Sequence, residues 1–464
     1  MNLNPNIKIA YDLLHSGILA FSRAERQGIR VDIDYIEQQK QHLTQKIKLL
    51  EDKFYRSKFY QHWGHTTKNK PNINSNMQLG YFLYKEKGLK PVKLTVGEQG
   101  STDEDALTQL NIPELNDILR IRKLKKIRDT YLEGFMREQV NGYIHPFFNL
   151  HLVRTYRSSS DHPNFQNIPI RDEEAMQACR KAIYPRPGHQ LLEVDYSKLE
   201  VCISACYHND PNMIKYINNP ASDMHADMAK QIFMIDKFDE SSVEHKILRG
   251  AAKNGFVFPE FYGDYYKNCG VNLACRWGGL PQSKWKNGQG IKISEEMHLS
   301  DHLISKGIKS FNGFTDHIEQ IEYDFWENRF AGYQAWKNRW WGIYQKRGYI
   351  DTLTGFRCSG VMNKKEVTNY PISGSAFHCL LWSFIELDKI MIKEQWDTKL
   401  IGQIHDSIIF DVAPTELQHV VKVIKRVTCE DLRKAWSWIS VPLSVDFEIC
   451  PVDRSWAEKE SISI

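Results

Sequence analysis

Two acidic residues far apart in the chain each stand beside a short apolar run, and that pairing constrains the fold more than anything else in the sequence. Asp195 closes Leu191-Leu192-Glu193-Val194, a compact strand candidate. Asp406 stands in the polar triplet His405-Asp406-Ser407, between Ile401 and Ile404 on one side and Ile408, Ile409 and Phe410 on the other. Two apolar runs around so short a polar centre read as a β-hairpin with Asp406 at its tip. A carboxylate at the end of a strand faces outward, and two brought together on neighbouring strands would suit Mg²⁺, which takes one or two protein oxygens and leaves its other positions to water and phosphate. If the two strands share a sheet, the helix-rich stretch between them must lie outside it, so the expected fold is an α/β unit split by a helical middle. Each carboxylate alone also has a plain structural reading. Asp195 could simply end its strand, with Ser197 and Glu200 forming an S-x-x-E capping box, and Asp406 could be a solvated turn residue.

The chain has 464 residues, room for two to four structural units. With 42% hydrophobic and 25% charged residues it falls in the globular class, away from disordered or fibrous compositions. No apolar run approaches the roughly 18 to 20 residues that span a bilayer. The polar start MNLNPNIK lacks the apolar core of a secretory signal, so an intracellular protein without membrane partners is expected. The nine cysteines are scattered, with no C-x2-C pair, and read as reduced packing residues.

A net charge of +4 says little about partners, but its distribution says more. Arg120, Arg122, Lys123, Lys125, Lys126 and Arg128 form an acid-free run in which Ile118, Ile121, Leu124 and Ile127 recur at helical spacing. That is a helix with a buried stripe and a cationic face, either merely solvated or a rail for a phosphate backbone. Around it the first 150 residues read as a helical arm, with amphipathic stretches over Ile7–Arg26 and Asp34–Phe59 and a stop at Gly28.

Between the two carboxylates lies LRGAAKNGFVFPEFYG, Leu248–Gly263. Arg249 and Lys253, four apart, share a helix face. Together they would clamp a polyphosphate, with His225 upstream as a further donor and the aromatics that follow as a surface for a base. Two solvated cations on an ordinary helix are the alternative.

Taken in order, these segments resemble family A DNA polymerases of the Klenow type, and the likeness runs over nearly the whole chain. RTYRSSSDHPNFQNIP at Arg154–Pro169 is similar to the family's primer/template segment. DYSKLE at Asp195–Glu200 resembles motif A, RGAAKNGFVFPEFYG at Arg249–Gly263 motif B, NYPISGSA at Asn369–Ala376 the N-x-P-x-Q-G-T-A segment, and IHDS at Ile404–Ser407 motif C. STDEDAL at Ser101–Leu107 and RGYIDTLTGFR at Arg347–Arg357 add to the match.

The resemblance implies a right-hand α/β (α+β) fold: a helical thumb over residues 1–148, a split α/β palm over 149–219 and 369–464, and helical fingers over 220–368 with an insertion near 264–312. It implies template-directed DNA polymerisation from dNTPs on primer/template DNA. Asp195, Asp406 and the Tyr196 carbonyl would hold two Mg²⁺, with Mn²⁺ as a substitute. Arg249, Lys253 and His225 would bind the triphosphate, and Lys253 would protonate the leaving pyrophosphate. Glu200 would occupy the place of a ribose 2′-hydroxyl, which argues against a single-subunit RNA polymerase. Keeping the metal and triphosphate residues together argues against an inactive nucleic-acid-binding subunit. Tyr262 would stack near the templating base. Arg157, Gln166, Asn167, Asn369, Gln403 and His405 would follow primer and template in the minor groove, and Arg120, Lys125 and Arg128 would serve as the thumb's phosphate rail.

The chain departs from the family pattern in several places. Tyr156 stands for a glycine, Lys198 for the motif A glutamine, Cys202 for an arginine, Ser373 for a glutamine and Ser407 for a glutamate. Motif B carries one extra residue between Lys253 and Tyr262. A bulge between Lys253 and Phe258, where Gly255 is permissive, would absorb it and leave Phe258 as the sugar-facing aromatic. The resemblance also leads us to expect no proofreading exonuclease in this chain, a separate exonuclease or processivity factor as partner, and a bacteriophage enzyme working in the host cytoplasm.

Overall fold

The computed structural model describes residues 7–462 apart from 67–69, 92–93, 96, 171, 220, 240, 278–284 and 295. The last two gaps fall within the expected fingers insertion, whose residues 278–284 and 295 therefore lie outside the described ones.

Five antiparallel strands form the central sheet: β1 (Gln190–Tyr196), β2 (Lys399–Ile404), β3 (Ser407–Val412), β4 (Val445–Ile449) and β5 (Glu460–Ile462), in the spatial order β5-β4-β1-β3-β2. The earliest of these strands lies at the centre, flanked by two that arrive from the far end of the chain, at Ser407 and Val445. β1 is buried along nearly its whole length, and β2 and β3 likewise, so their sequences read as apolar runs rather than alternating ones. Side chains still alternate between faces. Tyr196 points to the face where its hydroxyl meets Ser383 Oγ at 2.7 Å. Glu193 and Asp195 point to the opposite face, where Glu193 accepts from Trp456 Nε1 at 3.0 Å and Lys459 Nζ at 2.6 Å.

Ser383 belongs to the helix Lys364–Glu394, whose 31 residues start at a capping box between Asn363 and Glu366 and run through Pro371. The first helix, Ile7–Gln27, packs on it. Phe21 meets Phe384 edge-on at 4.8 Å, Arg23 Nε donates to Asp388 Oδ1 and Oδ2 at 3.0 and 2.9 Å, and a Cβ on Gly17 would come within 2.9 Å of Leu381. By these contacts residues 7–27, the start of the expected helical arm, pack on the sheet's long helix. Gly28, at φ +71, ends that helix.

The expected helix Asp34–Phe59 is two helices, Ile33–Tyr55 and Lys58–Thr66. Ser57 Oγ accepts from the Tyr60 amide at 3.2 Å, so a short polar side chain starts a new helix where the apolar periodicity alone reads as continuous.

Ile118, Ile121, Leu124 and Ile127 form the buried stripe of the basic helix, but its cations are largely engaged within the chain. Arg120 forks onto Glu174, Lys123 pairs with Asp172, Lys125 reaches Glu51 at 2.7 Å, and Arg128 bonds Asp129 at 2.7 Å and Thr44 at 3.1 Å. Arg120, Lys125 and Arg128, the expected phosphate rail, thus each have a partner within the chain. The run is acid-free in sequence, yet packing brings carboxylates to it from two other segments, Asp172 and Glu174 from one and Glu51 from the other. Among the described residues no helix is long and apolar enough to cross a membrane.

Gly374, in the long helix, is where the segment carrying Arg157 comes closest: a Cβ there would stand 2.3 Å from the Thr155 carbonyl oxygen. Backbone on both sides cannot yield cheaply. Gly374→Ala is therefore expected to lose about 1–3 kcal/mol of stability despite the better helix propensity of alanine, measured by denaturant unfolding. An unchanged midpoint would contradict this close approach.

Candidate active site

The register of the sheet brings the two carboxylates together. Ser407 pairs with Asp195 across β3 and β1, and its Oγ donates to Asp195 Oδ1 at 2.6 Å. The turn between β2 and β3 is the two residues His405 and Asp406, with His405 at φ +50. The Tyr196 amide donates to the Asp406 carbonyl at 3.2 Å, tying the hairpin tip to the end of β1. On the other flank Asp446 of β4 faces Asp195 in register and accepts from Ser197 Oγ at 2.6 Å.

Burial pushes Asp195 above the usual carboxylate range, against the hydrogen bond from Ser407. Asp406 is raised to about 6, first by burial. Arg157 opposes the shift, and the charges of Glu200 and Asp195 add to it. Arg157 Nη2 stands 3.9 Å from Asp406 Oδ1. Two carboxylates whose charge is disfavoured by burial and by neighbouring acids gain from a proton or a cation. Hard oxygens suit a divalent ion of the Mg²⁺ kind, and since the described residues hold no group of three or more metal-ligating side chains, water and phosphate would complete the coordination. The residues thus fit the expected ions.

A cleft of about 710 Å³ opens from this pair. Its far wall carries His225, Arg249, Lys253, Phe258 and Tyr262. Asp223 caps the helix Met224–Ile232 through its Oδ1 and accepts from Arg249 Nε at 2.5 Å through Oδ2. The Lys253 ammonium lies 5.2 Å from the Phe258 ring, and the His225 ring meets Phe258 edge-on at 5.7 Å. Burial first, then the charges of Lys253 and Arg249, lower His225 to about 4. It is a neutral imidazole at pH 7.

The surplus residue of motif B is taken up in a π-helical turn over Lys253–Val257, after which an α-turn restarts at Phe258. Pro259 falls in the first turn of that restart, where its missing N–H costs nothing. Val257 is buried in the core and Phe258 lines the cleft.

Glu200 does not cap its helix. Leu199–His208 begins after Lys198, at φ +55, without a side-chain cap. Both carboxylate oxygens of Glu200 turn into the cleft. Oε1 accepts from Arg157 Nη1 at 3.2 Å and Ser373 Oγ at 2.8 Å, and Oε2 accepts from the Tyr262 hydroxyl. The capping-box alternative is excluded by this geometry.

The remaining expected residues divide. Asn369 Nδ2 donates to the Tyr262 carbonyl at 3.0 Å at the cleft edge. Gln403 is buried, accepting from Ser158 Oγ at 2.7 Å and Gln166 Nε2 at 2.6 Å while donating to the His405 carbonyl, so Gln166 and Gln403 form one network under the hairpin tip. Asn167 lies apart, beside a second cavity lined by Lys126, Tyr131 and Asn164. Tyr156, where the family pattern has glycine, adopts φ +61, a region costly for a bulky side chain. Its ring packs on Phe356 at 4.8 Å and its hydroxyl bonds the Arg357 carbonyl at 2.5 Å, which holds it there. Sequence reasoning missed Asp446 and the pairing of Asp223 with Arg249. Neither carries a motif signal, because each is defined by a partner distant in the chain.

Residues 33–276 and 296–458 match the model of DNA polymerase family A, and the chain belongs to that family. It is 29% identical over 461 residues to DNA polymerase I of Bacillus subtilis (strain 168), covering 98% of this chain and 46% of the relative. To DNA polymerase I of Chloroflexus aurantiacus it is 27% identical over 461 residues, covering 95% of this chain and 42% of the relative. It thus spans less than half the length of these bacterial relatives. Among solved structures it superposes on the POL domain of Pol1 from M. smegmatis, in complex with DNA primer-template and dNTP, with a TM-score of 0.73 at 24% identity, covering 96% of this chain and 70% of that one. The fold is the mixed helix-and-sheet fold of that polymerase domain.

An acid whose folded-state pKa lies above its unfolded value loses stability as pH rises between the two. For Asp406 that window runs from about 4, the unfolded value, to about 6. Its side chain keeps 31% exposure, and solvent offsets part of the penalty. In metal-free buffer Asp406→Asn should therefore be more stable than the parent by about 1 kcal/mol at pH 8 and no more stable at pH 4. Guanidinium unfolding at the two pH values reads this, and an equal difference at both would refute it.

Proposed function

We propose that this chain is a template-directed DNA polymerase, adding deoxynucleotides to a primer 3′ end by nucleotidyl transfer. The observation that carries this reading is one cleft lined by the carboxylates Asp195 and Asp406 and by the cations Arg249 and Lys253, with the Phe258 ring beside Lys253. Membership of the DNA polymerase family and the likeness to a polymerase domain solved with primer-template and dNTP support it.

Asp195 and Asp406, with the Tyr196 carbonyl, would hold two Mg²⁺, or Mn²⁺ in their place, whose chemistry when bound is to acidify a primer 3′-hydroxyl and neutralise leaving pyrophosphate. Arg249 keeps Asp223 on its Nε and offers its other N–H groups to triphosphate oxygens, since a guanidinium has five donors in a fixed fork. His225, neutral, adds a single N–H. Lys253 binds the phosphates as a compact cation and gives a proton to the departing pyrophosphate. Phe258 lies against the sugar and Tyr262 near the templating base. Glu200, held in the cleft, closes the space of a 2′-hydroxyl. Arg157, Asn369 and the Gln166–Gln403 network beneath the exposed His405 meet the minor groove, where hydrogen bonds test pair shape more than sequence.

Primer extension with dNTPs, then with NTPs, each with Mg²⁺, tests the reading against an RNA polymerase and against an inactive binding subunit. Extension with dNTPs alone is expected. Asp195→Ala and Asp406→Ala should each lower turnover more than about a hundredfold while duplex affinity, which rests on cationic contacts to phosphate, changes little. Substantial turnover in either variant would sink the assignment.

Phe258→Tyr adds a hydroxyl that can replace the hydrogen bond lost with a missing 3′-hydroxyl. It should relax discrimination against dideoxynucleotides by about tenfold, the worth of one hydrogen bond, whereas Val257→Tyr should mainly lower stability. Chain-termination assays on both variants read the difference, and relaxation by Val257→Tyr alone would overturn the register through the π-turn.

A further inference from the structure

Glu200 accepts from three donors on three separate elements. Arg157 comes from the loop after Thr155, Tyr262 from the motif B helix, and Ser373 from the helix Lys364–Glu394. The first two have other employment in the proposed reaction. Arg157 also stands 3.9 Å from Asp406, where it would meet the primer, and Tyr262 lines the cleft, where it would meet the incoming base pair. Ser373 has none.

Its position is set by ties on both sides. The Tyr207 hydroxyl, on the same helix as Glu200, donates to the Pro371 carbonyl at 3.1 Å and meets Ser375 Oγ at 2.7 Å, and it accepts from the Leu353 amide at 2.9 Å. One buried tyrosine therefore locks the Glu200 helix to the long helix two residues before and two residues after Ser373. Gly374, next in sequence, admits the Thr155 backbone and with it Arg157. A serine within a helix commonly turns its hydroxyl back to the carbonyl four residues earlier, as Thr368 does to Lys364 in this same helix. Ser373 instead gives its proton to Glu200 Oε1 at 2.8 Å.

The chemical need is plain. A glutamate excludes a 2′-hydroxyl only while its carboxylate stays in place, and an unanchored glutamate has several rotamers, most of which leave that space open. We propose that Ser373 is a positioning residue for sugar selection: its hydroxyl fixes the Glu200 carboxylate over the 2′ space, so discrimination against ribonucleotides depends on it. This rests on the polymerase reading given above.

The test is a double-mutant cycle in primer extension. The kcat/KM ratio for a ribonucleotide against the matching deoxynucleotide is measured for the parent, Ser373→Ala, Glu200→Ala and the double variant, with thermal midpoints recorded alongside. Ser373→Ala should raise the ratio about tenfold, the scale of one hydrogen bond to a charged group. It should raise it no further in the Glu200→Ala background, because the residue acts through Glu200. A merely structural serine would move the midpoint and leave the ratio alone, and that result overturns the proposal, as does an equal effect in both backgrounds. Should Ser373→Ala fail to fold, Ser373→Cys, which keeps the volume and weakens the donor, is read by the same criteria. Absence of dNTP extension by the parent chain would instead strike the polymerase reading, so the two failures are distinct.

Discussion

The antiparallel pairing of Gln190–Tyr196 with Ser407–Val412 is the constraint on which the rest of the molecule turns. A slip of one residue in that ladder would send Asp195 to the face occupied by the long helix, where Tyr196 now meets Ser383. In the observed register Ser407 lies opposite Asp195 and the tight His405-Asp406 turn sets the second carboxylate beside the first. The flanking strand Val445–Ile449 closes the other side of Asp195, so the central strand is held from both edges.

Burial disfavours the charge of both acids and raises both, with Glu193 and Asp446 adding to the shift of Asp195, and Glu200 and Asp195 to that of Asp406. The chain tolerates this because neighbouring groups oppose the charge: Ser407 hydrogen-bonds Asp195, and Arg157 stands between Asp406 and Glu200. Arg157 in turn reaches them only because Gly374 lets its backbone lie against the long helix. The site is thus a convergence of the sheet, the long helix, the Arg157 loop and the motif B helix. Local strain accumulates where they meet, in His405, Lys198 and Tyr156, all at positive φ.

Buried carboxylates recur beneath the motif B helix. Glu260 is raised to about 8, by burial first and by Glu322 next, and it accepts from Trp326 Nε1 at 2.8 Å. Lys337, whose ammonium lies 3.1 Å from the centre of the Trp326 ring, is lowered to about 7 by the same burial. These groups hold Trp326, whose ring meets Phe261 of the motif B helix at 6.2 Å and Tyr333 at 5.4 Å.

Much of this was legible in the residues themselves. Apolar runs around Asp195 and Asp406 marked strands because a buried strand must be apolar on both faces, and the surplus residue between Lys253 and Tyr262 announced a π-turn because a helix has no other way to keep both ends in phase. Periodicity likewise marked the stripe Ile118, Ile121, Leu124 and Ile127. What lay beyond the sequence was every property that depends on a distant partner. The cations of that same helix read as a free face until Glu174, Asp172 and Glu51 were brought to them. Glu200 read equally well as a cap or as a cleft residue until Arg157, Ser373 and Tyr262 were found on its carboxylate. Local sequence determines backbone preference and burial because those are short-range. The charge state and direction of a polar side chain are decided by whichever groups the tertiary fold sets within a few ångströms of it, and for this protein those groups come from segments far apart along the chain.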